Sequence, residues 1–230
     1  MPSRHSPDVH AYPGLQSLSW LSPAQLERLA QGLSVREVKK RQVIFQQGDP
    51  ADRLYVLLSG VARLSLRNTE GQQVLVSLLG TGEVFGSASL LPGTKRPFRC
   101  DAFTDCRVGT VRPETFVNVS LGVPFEDFAR VAEVTVGRWW AMVLRYAHFV
   151  GLGLRERLAA ALLELAAKFG VEDARGTILT LRVTHADLAE LVGASRQRVT
   201  EQVKDFERSG LLMREGRRLI LALQKLRAVA

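Results

Sequence analysis

The sequence predicts an α+β fold: an N-terminal β-roll (a double-stranded jelly-roll), a long helix and a C-terminal winged helix-turn-helix. Short apolar runs separated by glycine-rich turns recur about every ten residues between Val35 and Val111, which is typical of an antiparallel sandwich or barrel. A helical period begins after Pro124. Two short helices joined by a glycine turn then occupy Thr184 to Phe206, and this arrangement indicates a helix-turn-helix.

We divide the chain where these patterns change. Residues 1–21 are expected to form a flexible polar tail, 22–123 the β-roll sensor domain, 124–150 a dimerisation helix and 151–230 the winged helix-turn-helix domain. Gly151 and Gly153 interrupt the helical pattern and are interpreted as a hinge. Residues 87–91 are expected to form a single helical turn, and 154–169 another amphipathic helix.

Composition narrows the class of protein. The 230 residues carry a formal net charge of +8, with 46 % apolar and 23 % charged residues, as in ordinary folded domains. Residues 151–230 contain 14 Lys and Arg against 10 Asp and Glu. Together with the helix pair, this excess favours a nucleic-acid partner. The two cysteines predict reduced thiols in the cytoplasm, and no apolar run reaches the ~18 residues of a membrane span.

The long helix carries an apolar seam with steps of three and four residues over more than three heptads. The seam consists of Phe125, Phe128, Ala132, Thr135, Trp139, Met142, Tyr146 and Phe149. Since a second apolar stripe runs beside it, one stripe needs a partner, most simply the same helix of a second chain. The alternative is a single buried helix in a monomer.

The helix pair has the expected local signals. Thr184 caps the first helix with Asp187 in the capping-box position, Gly193 suits a left-handed turn, and Ser195 caps the second helix. The opposite face of the second helix is polar. A short hairpin around Glu215 completes a wing.

Arg196 is the best candidate for reading a base, because an arginine at the start of a recognition helix pairs bidentately with guanine. Gln197 can contact adenine or a phosphate. Glu201 can accept from cytosine, or it can pair with Arg198 one turn earlier. The expected contacts to the DNA backbone are Thr184, Ser195, Arg198, Thr200, Lys204, Arg214, Arg217 and Arg218.

The order of these modules resembles the CRP/FNR family of bacterial transcription regulators. The resemblance covers roughly Val35 to Leu221 and rests on Phe45-x-x-Gly48-Asp49, on Gly82-Glu83-Val84-Phe85-Gly86 and on Val192-Gly193-x-Ser195-Arg196. It implies a cyclic-nucleotide-binding-like β-roll and a homodimer that binds two-fold symmetric double-stranded DNA operators and contacts RNA polymerase. In the cyclic-AMP regulators of this family an arginine stands where this chain has Glu201.

The resemblance leaves the effector open between a small anion (a cyclic nucleotide or a 2-oxoglutarate-like acid) and no ligand. Arg96 matches the family's phosphate-binding arginine, but Ser87 stands where the ribose-binding glutamate belongs, and Pro97 replaces a serine. Residues 89–104 also resemble the cyanobacterial nitrogen regulators. The alternative for Arg96 is a surface-loop position. The candidate effector residues are Gly86, Ser87, Ser89, Arg96, Met142 and Val143.

Other classes of protein have less support from the residues. Two cysteines are too few for the iron–sulfur sensors, and four dispersed histidines do not predict a haem or other metal site. A cupin-like enzyme would need histidines on the barrel, where the chain has none. We therefore expect no catalytic residues. A cyclic-nucleotide-binding subunit that acts on a protein partner is a further alternative, which the recognition helix disfavours.

Overall fold

The computed structural model describes residues 13–16, 18, 20–67, 71, 73–120, 140, 142–144, 146–148 and 150–230. The chain divides into two compact units, Met1–Arg138 and Trp139–Ala230, and each unit is described by itself. Of the predicted dimerisation residues, Phe125, Phe128, Ala132, Thr135, Trp139 and Phe149 lie outside the described residues.

The first unit contains the predicted β-roll. Its strands are β1 (Ser34–Val38), β2 (Val43–Phe45), β3 (Leu54–Ser59), β4 (Ala62–Arg67), β5 (Gln73–Leu79), β6 (Val84–Phe85), β7 (Arg99–Ala102) and β8 (Cys106–Val111). They form two antiparallel four-stranded sheets, in the orders β1-β8-β3-β6 and β2-β7-β4-β5. One apolar core draws side chains from all eight strands.

Strand β3 is central to the packing of this unit, as the burial of both of its faces shows. Tyr55 and Leu57 enter the core of the roll, whereas Leu54, Val56 and Leu58 enter a second apolar cluster formed with helices. Alternation of this kind follows from the two-residue period of a strand. The helices are α1 (Pro13–Gln16), α2 (Pro23–Gly32) and α3 (Pro113–Ser120).

The prediction of a loose tail up to residue 21 is wrong for the stretch that contains α1. Leu15, Leu18 and Leu21 are buried in the helical cluster, at 0 %, 3 % and 4 % exposure. A β-carbon added at Gly14 would lie 2.7 Å from backbone atoms of Leu57 and Leu58, so α1 packs directly on β3. The residues after Pro13 therefore complete the core rather than precede it.

Cys100 and Cys106 are free, and both are buried. They lie on the separate strands β7 and β8 rather than on one extended strand. The Cys106 thiol donates to the Val61 carbonyl oxygen at 3.1 Å, and burial raises the pKa of both thiols. A protonated thiol in an apolar core acts as a small packing group.

The second unit contains a four-stranded sheet and, after the helical residues of 140–151, four further described helices. Helix α4 (Leu154–Phe169) is followed by β9 (Gly170–Asp173), β10 (Gly176–Leu179), α5 (His185–Val192), α6 (Arg196–Arg208), β11 (Leu212–Glu215), β12 (Arg218–Leu221) and α7 (Leu223–Arg227). The sheet has the order β11-β12-β10-β9. Strand β9 and helix α3 are elements that the sequence pattern did not reveal.

The described residues among 140–151 are helical, and the helix gives way to irregular backbone at Leu152 and Gly153. Met142 and Tyr146 of the predicted seam are 45 % and 72 % exposed in the single chain. Within the described residues, no helix is long and apolar enough to span a membrane.

Candidate nucleic-acid interface

The ends of helices α5 and α6 are fixed by the local contacts that the sequence predicts. Thr184 accepts from the amide of Asp187, and the Asp187 carboxylate accepts in return from the Thr184 amide at 2.7 Å, so the capping box is complete. Gly193 adopts the left-handed conformation with φ of 60°. Ser195 accepts from the amide of Arg198 at 3.3 Å. The turn between the helices is therefore set by caps and one glycine.

A shared apolar core holds the two helices together. Val199, Val203 and Phe206 of α6 are at most 1 % exposed, and the core residues of α5 are Leu188, Ala189, Leu191 and Val192. Their spacing leaves the opposite face of α6 to solvent. This face begins at Arg196.

The outward face of α6 presents the residues predicted to read bases. Arg196, Gln197 and Glu201 are all exposed. The Gln197 amide donates to the Glu201 carboxylate at 3.1 Å. The pairing of Glu201 with Arg198 considered from the sequence is therefore replaced by a pairing with Gln197, one turn away on the same face.

The side chain of His185 links three elements of the second unit. Its Nδ1 atom lies 2.8 Å from the hydroxyl of Thr200 on α6, and its Nε2 atom lies 2.9 Å from Nη2 of Arg214 on β11. Thr200 also donates to the Arg196 carbonyl oxygen at 2.8 Å. Burial, followed by the charge of Arg214, lowers the pKa of His185. Sequence reasoning missed this residue, because its partners lie 15 and 29 positions away along the chain.

The wing is held by ion pairs on both sides. Arg214 pairs with Glu207 of α6 at 3.1 Å. Glu215 receives two hydrogen bonds from Arg175, at 2.9 and 3.4 Å, and Arg175 also contacts Asp173 at 2.8 Å. The Arg175 guanidinium holds the pKa of both carboxyls below their usual values. The hairpin β9–β10 thus braces the wing, and the sequence pattern had not indicated this contact.

Arg217 and Arg218 at the wing tip are exposed, as are Arg198 and Lys204 on α6. Thr184 and Ser195, which were also predicted to contact the DNA backbone, use their hydroxyls as helix caps. The second unit therefore brings exposed cations from the recognition helix and the wing into one domain, as binding to phosphates requires.

In the first unit, Arg96 lies inside the protein and not in a surface loop. Its side chain is 1 % exposed, and its terminal nitrogens donate to the carbonyl oxygens of Gly86 at 3.0 Å and Arg53 at 2.7 Å. The guanidinium lies over the rings of Phe45 and Tyr55, 4.7 and 5.2 Å from their centres. The Asp52 carboxylate lies 3.7 Å from Nη2, so carbonyls, aromatic faces and an acid of the protein itself stabilise the charge without a bound anion.

The other predicted effector residues are placed less favourably. Ser87 is exposed at the start of a 3₁₀ turn, Ser87–Leu90. Ser89 is 7 % exposed, and its hydroxyl, like Nε of Arg96, has no hydrogen-bond partner among the described residues. Met142 and Val143 belong to the second unit and are exposed. Within the described residues, no group of three His, Cys, Asp or Glu side chains could hold a metal ion.

Comparison with protein-family models gives two matches that follow the two units. Residues 35–120 match the cyclic nucleotide-binding domain, and residues 156–229 match the Crp-like helix-turn-helix domain. The first match covers the β-roll, and the second runs from α4 through the wing to α7.

Relatives resemble the chain over most of its length. It is 25 % identical over 202 residues to the CRP-like cAMP-activated global transcriptional regulator of Mycobacterium tuberculosis, covering 88 % of this chain and 90 % of the relative. It is 30 % identical over 193 residues to the global nitrogen regulator of Synechococcus elongatus, covering 81 % and 85 %.

Solved structures share the architecture. A CRP/FNR-family transcriptional regulator from Thermus thermophilus aligns with a TM-score of 0.67 at 26 % identity, over 86 % of this chain and 98 % of that one. The c-di-GMP responsive regulator CLP of Xanthomonas campestris aligns with a TM-score of 0.72 over 87 % and 99 %. At 23 % identity, this structural likeness shows a common fold.

The brace between Arg175 and Glu215 generates a prediction about the wing. In Glu215→Gln, amide hydrogens of residues 213–218 should exchange faster than in the wild type at low salt, because the ion pair is lost. The difference should shrink at high salt, which screens exposed charges. Hydrogen-exchange mass spectrometry measures it, with Glu172→Gln, an exposed acid of the same sheet, as the control.

The ion pair between Arg175 and Glu215 also determines how the stability of the wing changes with pH. A carboxyl with a lowered native pKa stabilises the fold above its unfolded pKa, and this contribution is lost as the pH falls through the native value. The wild-type wing should therefore loosen in acid towards the behaviour of Glu215→Gln. Identical exchange of the two proteins at neutral pH and low salt would contradict the brace.

Proposed function

The chain belongs to the CRP/FNR family of bacterial transcription regulators, and we propose that it acts as a homodimer whose two α6 helices read a two-fold symmetric operator. The observation that carries this proposal is the outward face of α6, where Arg196, Gln197 and Glu201 are exposed above a fully buried apolar face. A helix of this kind can enter the major groove. The two α6 helices of a dimer would then lie about 34 Å apart, one turn of DNA.

Arg196 is proposed to specify a guanine in each half-site, since its guanidinium matches the O6 and N7 acceptors. Gln197 and Glu201 act together, because the hydrogen bond between them orients both side chains. With its amide nitrogen donating to Glu201, Gln197 presents its oxygen outward, and Glu201 keeps an oxygen that can accept from cytosine N4. Arg198, Lys204, Arg217 and Arg218 are proposed to contact phosphates.

The dimer is proposed to form through the helix that precedes α4. Trp140, Met142, Tyr146 and Val150 are 61 %, 45 %, 72 % and 74 % exposed in the single chain. So many large apolar side chains on one described helical stretch favour a protein partner. A second copy of the chain is the simplest partner, because a symmetric operator needs two recognition helices.

DNA binding is proposed to be competent without an anionic effector at Arg96. Both terminal nitrogens of Arg96 already donate to backbone carbonyls, and its guanidinium lies over two aromatic rings and 3.7 Å from Asp52. Ser87 stands where the cyclic-nucleotide regulators place the ribose-binding glutamate. Together these observations support a structural role for Arg96.

Control by cyclic AMP is the second candidate, favoured by the cAMP-activated relative and by the unpartnered Nε of Arg96. RNA polymerase is the proposed protein partner, on the strength of family membership. The relatives are regulators rather than enzymes, and we extend a non-catalytic role and a cytoplasmic location to this chain as parts of the same proposal.

Replacement of Arg196 tests the base reader. Arg196→Ala should weaken binding to a selected operator by about 1–3 kcal/mol and relax the preference for guanine at one position of each half-site. Selection from a random symmetric library, followed by gel shift at fixed salt, measures both effects. Arg28→Ala removes the same charge from an exposed site on α2 and should leave the preference unchanged. An unaltered base preference in Arg196→Ala would refute the assignment.

Charge introduced on the helix before α4 tests the dimer. The double variant Met142→Glu, Tyr146→Glu should sediment as a monomer and bind the operator about a hundredfold more weakly, since two-site avidity is lost. Leu91→Glu places a charge on an equally exposed leucine of the first unit and should remain dimeric. If the double variant sediments with the mass of the wild-type dimer, this helix is excluded as the interface.

The role of Arg96 is tested by thermal unfolding with and without ligand. Arg96→Ala should lose about 2–4 kcal/mol of stability without any ligand, because two charge-assisted hydrogen bonds and the aromatic stacking disappear. Cyclic AMP or 2-oxoglutarate should not stabilise the wild type, and exposed Lys95→Ala is the control. Ligand stabilisation of the wild type that is absent from Arg96→Ala would show an effector site instead.

A further inference from the structure

We propose that His185 is a positioning residue for DNA reading, which joins the first turn of α6 to the wing through Thr200 and Arg214. This inference rests on the DNA-binding function proposed above. His185 is the first residue of α5, directly after the Thr184 cap. It thus connects the support helix, the recognition helix and the wing in a single set of hydrogen bonds.

The donors and acceptors of this set have only one consistent arrangement. Arg214 can only donate, so Nε2 of His185 must accept from it at 2.9 Å. The proton of the neutral ring therefore lies on Nδ1, which donates to the Thr200 hydroxyl at 2.8 Å. The Thr200 hydroxyl in turn donates a hydrogen bond to the Arg196 carbonyl oxygen. The chain of bonds ends on the backbone of the residue proposed to read guanine.

Thr200 therefore uses its hydroxyl for contacts within the domain that hold the recognition helix. Its hydroxyl, which the sequence suggested as a contact to the DNA backbone, is engaged by His185 and by Arg196. Arg214 is likewise engaged, by His185 on one side and Glu207 on the other. Both side chains therefore set the relative placement of α6 and the wing.

Only the neutral imidazole can hold this arrangement. Arg214 faces His185 from β11, and Arg196, Lys204 and Glu207 are the charged groups that act on it from α6. A second ring proton would place an N–H on Nε2 against the guanidinium, which removes the acceptor and adds like-charge repulsion. Burial and the charge of Arg214 lower the pKa of His185, so the neutral ring prevails at neutral pH.

The lowered pKa of His185 determines how operator affinity changes with pH. Because the native pKa lies below the unfolded value, the contribution of the neutral ring is present above the unfolded pKa and is lost as the pH falls. Operator affinity should therefore decrease in mild acid. A histidine that contacted phosphate directly would do the opposite, since its protonation would add a cation to the interface.

Two conservative substitutions remove the two hydrogen bonds of His185 one at a time. Neither introduces a group that titrates near neutral pH. His185→Asn keeps an amide donor near the position of Nδ1 and loses the acceptor for Arg214. His185→Gln can present an acceptor near the position of Nε2 and loses the donor to Thr200. His185→Ala removes both. His10→Gln, a replacement before the first described helix, is the matched control for loss of a histidine elsewhere.

The experiment measures operator affinity of the full-length variants by fluorescence anisotropy between pH 5.5 and 8 at fixed salt. At pH 7.5, His185→Ala should bind about three- to tenfold more weakly than the wild type, as the loss of net hydrogen bonds predicts. The Asn and Gln variants should lie between them. The ratio of wild-type to His185→Asn or His185→Gln affinity should fall as the pH decreases, whereas the ratio to His10→Gln should stay constant.

Other outcomes would overturn the inference. A wild type that binds DNA with the same affinity as His185→Ala, or that gains affinity in acid relative to the Asn and Gln variants, would exclude a positioning role. A wild type that binds no symmetric operator at any pH would overturn the proposed function as well. Thermal unfolding of each variant checks that lost affinity does not reflect an unfolded domain.

Discussion

The burial of one face of α6 is the interaction on which the DNA-reading surface depends. Val199, Val203 and Phe206 are at most 1 % exposed, and burial of such side chains contributes about 1.5–3 kcal/mol each. The helix cannot turn about its axis without exposing them. Arg196, Gln197 and Glu201 on the other side therefore keep a fixed direction, whatever their own contacts contribute. Specificity is thus positioned by apolar packing rather than by the polar residues themselves.

Features that depend on near neighbours could be predicted from the sequence. The capping box at Thr184, the left-handed turn at Gly193 and the cap at Ser195 each involve residues within a few positions. The strands of the roll were visible because glycine turns separate them. The short apolar segment at Leu15, Leu18 and Leu21 was not, because a few leucines reveal neither a period nor the strand β3 that they cover.

The roles of charged side chains were harder to predict, since their partners are remote in the chain. Arg96 was expected to face a ligand or the solvent, and its partner carbonyl at Arg53 lies 43 positions away. His185 had no visible role until the fold brought Thr200 and Arg214 to its two nitrogens. A motif identifies the residue type at such a position, but only the fold shows which of its donors are already used.

Because some arginines are engaged within the protein, only part of the positive charge of the chain is available to DNA. Arg96, Arg175 and Arg214 are engaged with carbonyls, carboxylates or His185 within the protein. Arg208 and Arg214 are exposed but paired with Asp205 and Glu207. The other exposed cations of α6 and the wing have no ion pair among the described residues: Arg196, Arg198, Lys204, Arg217 and Arg218. Because counterion release depends on the cations that reach phosphates, the formal charge overstates the contribution of this chain to DNA affinity. The arginines used internally contribute through geometry, by holding the helix and the wing that present the others.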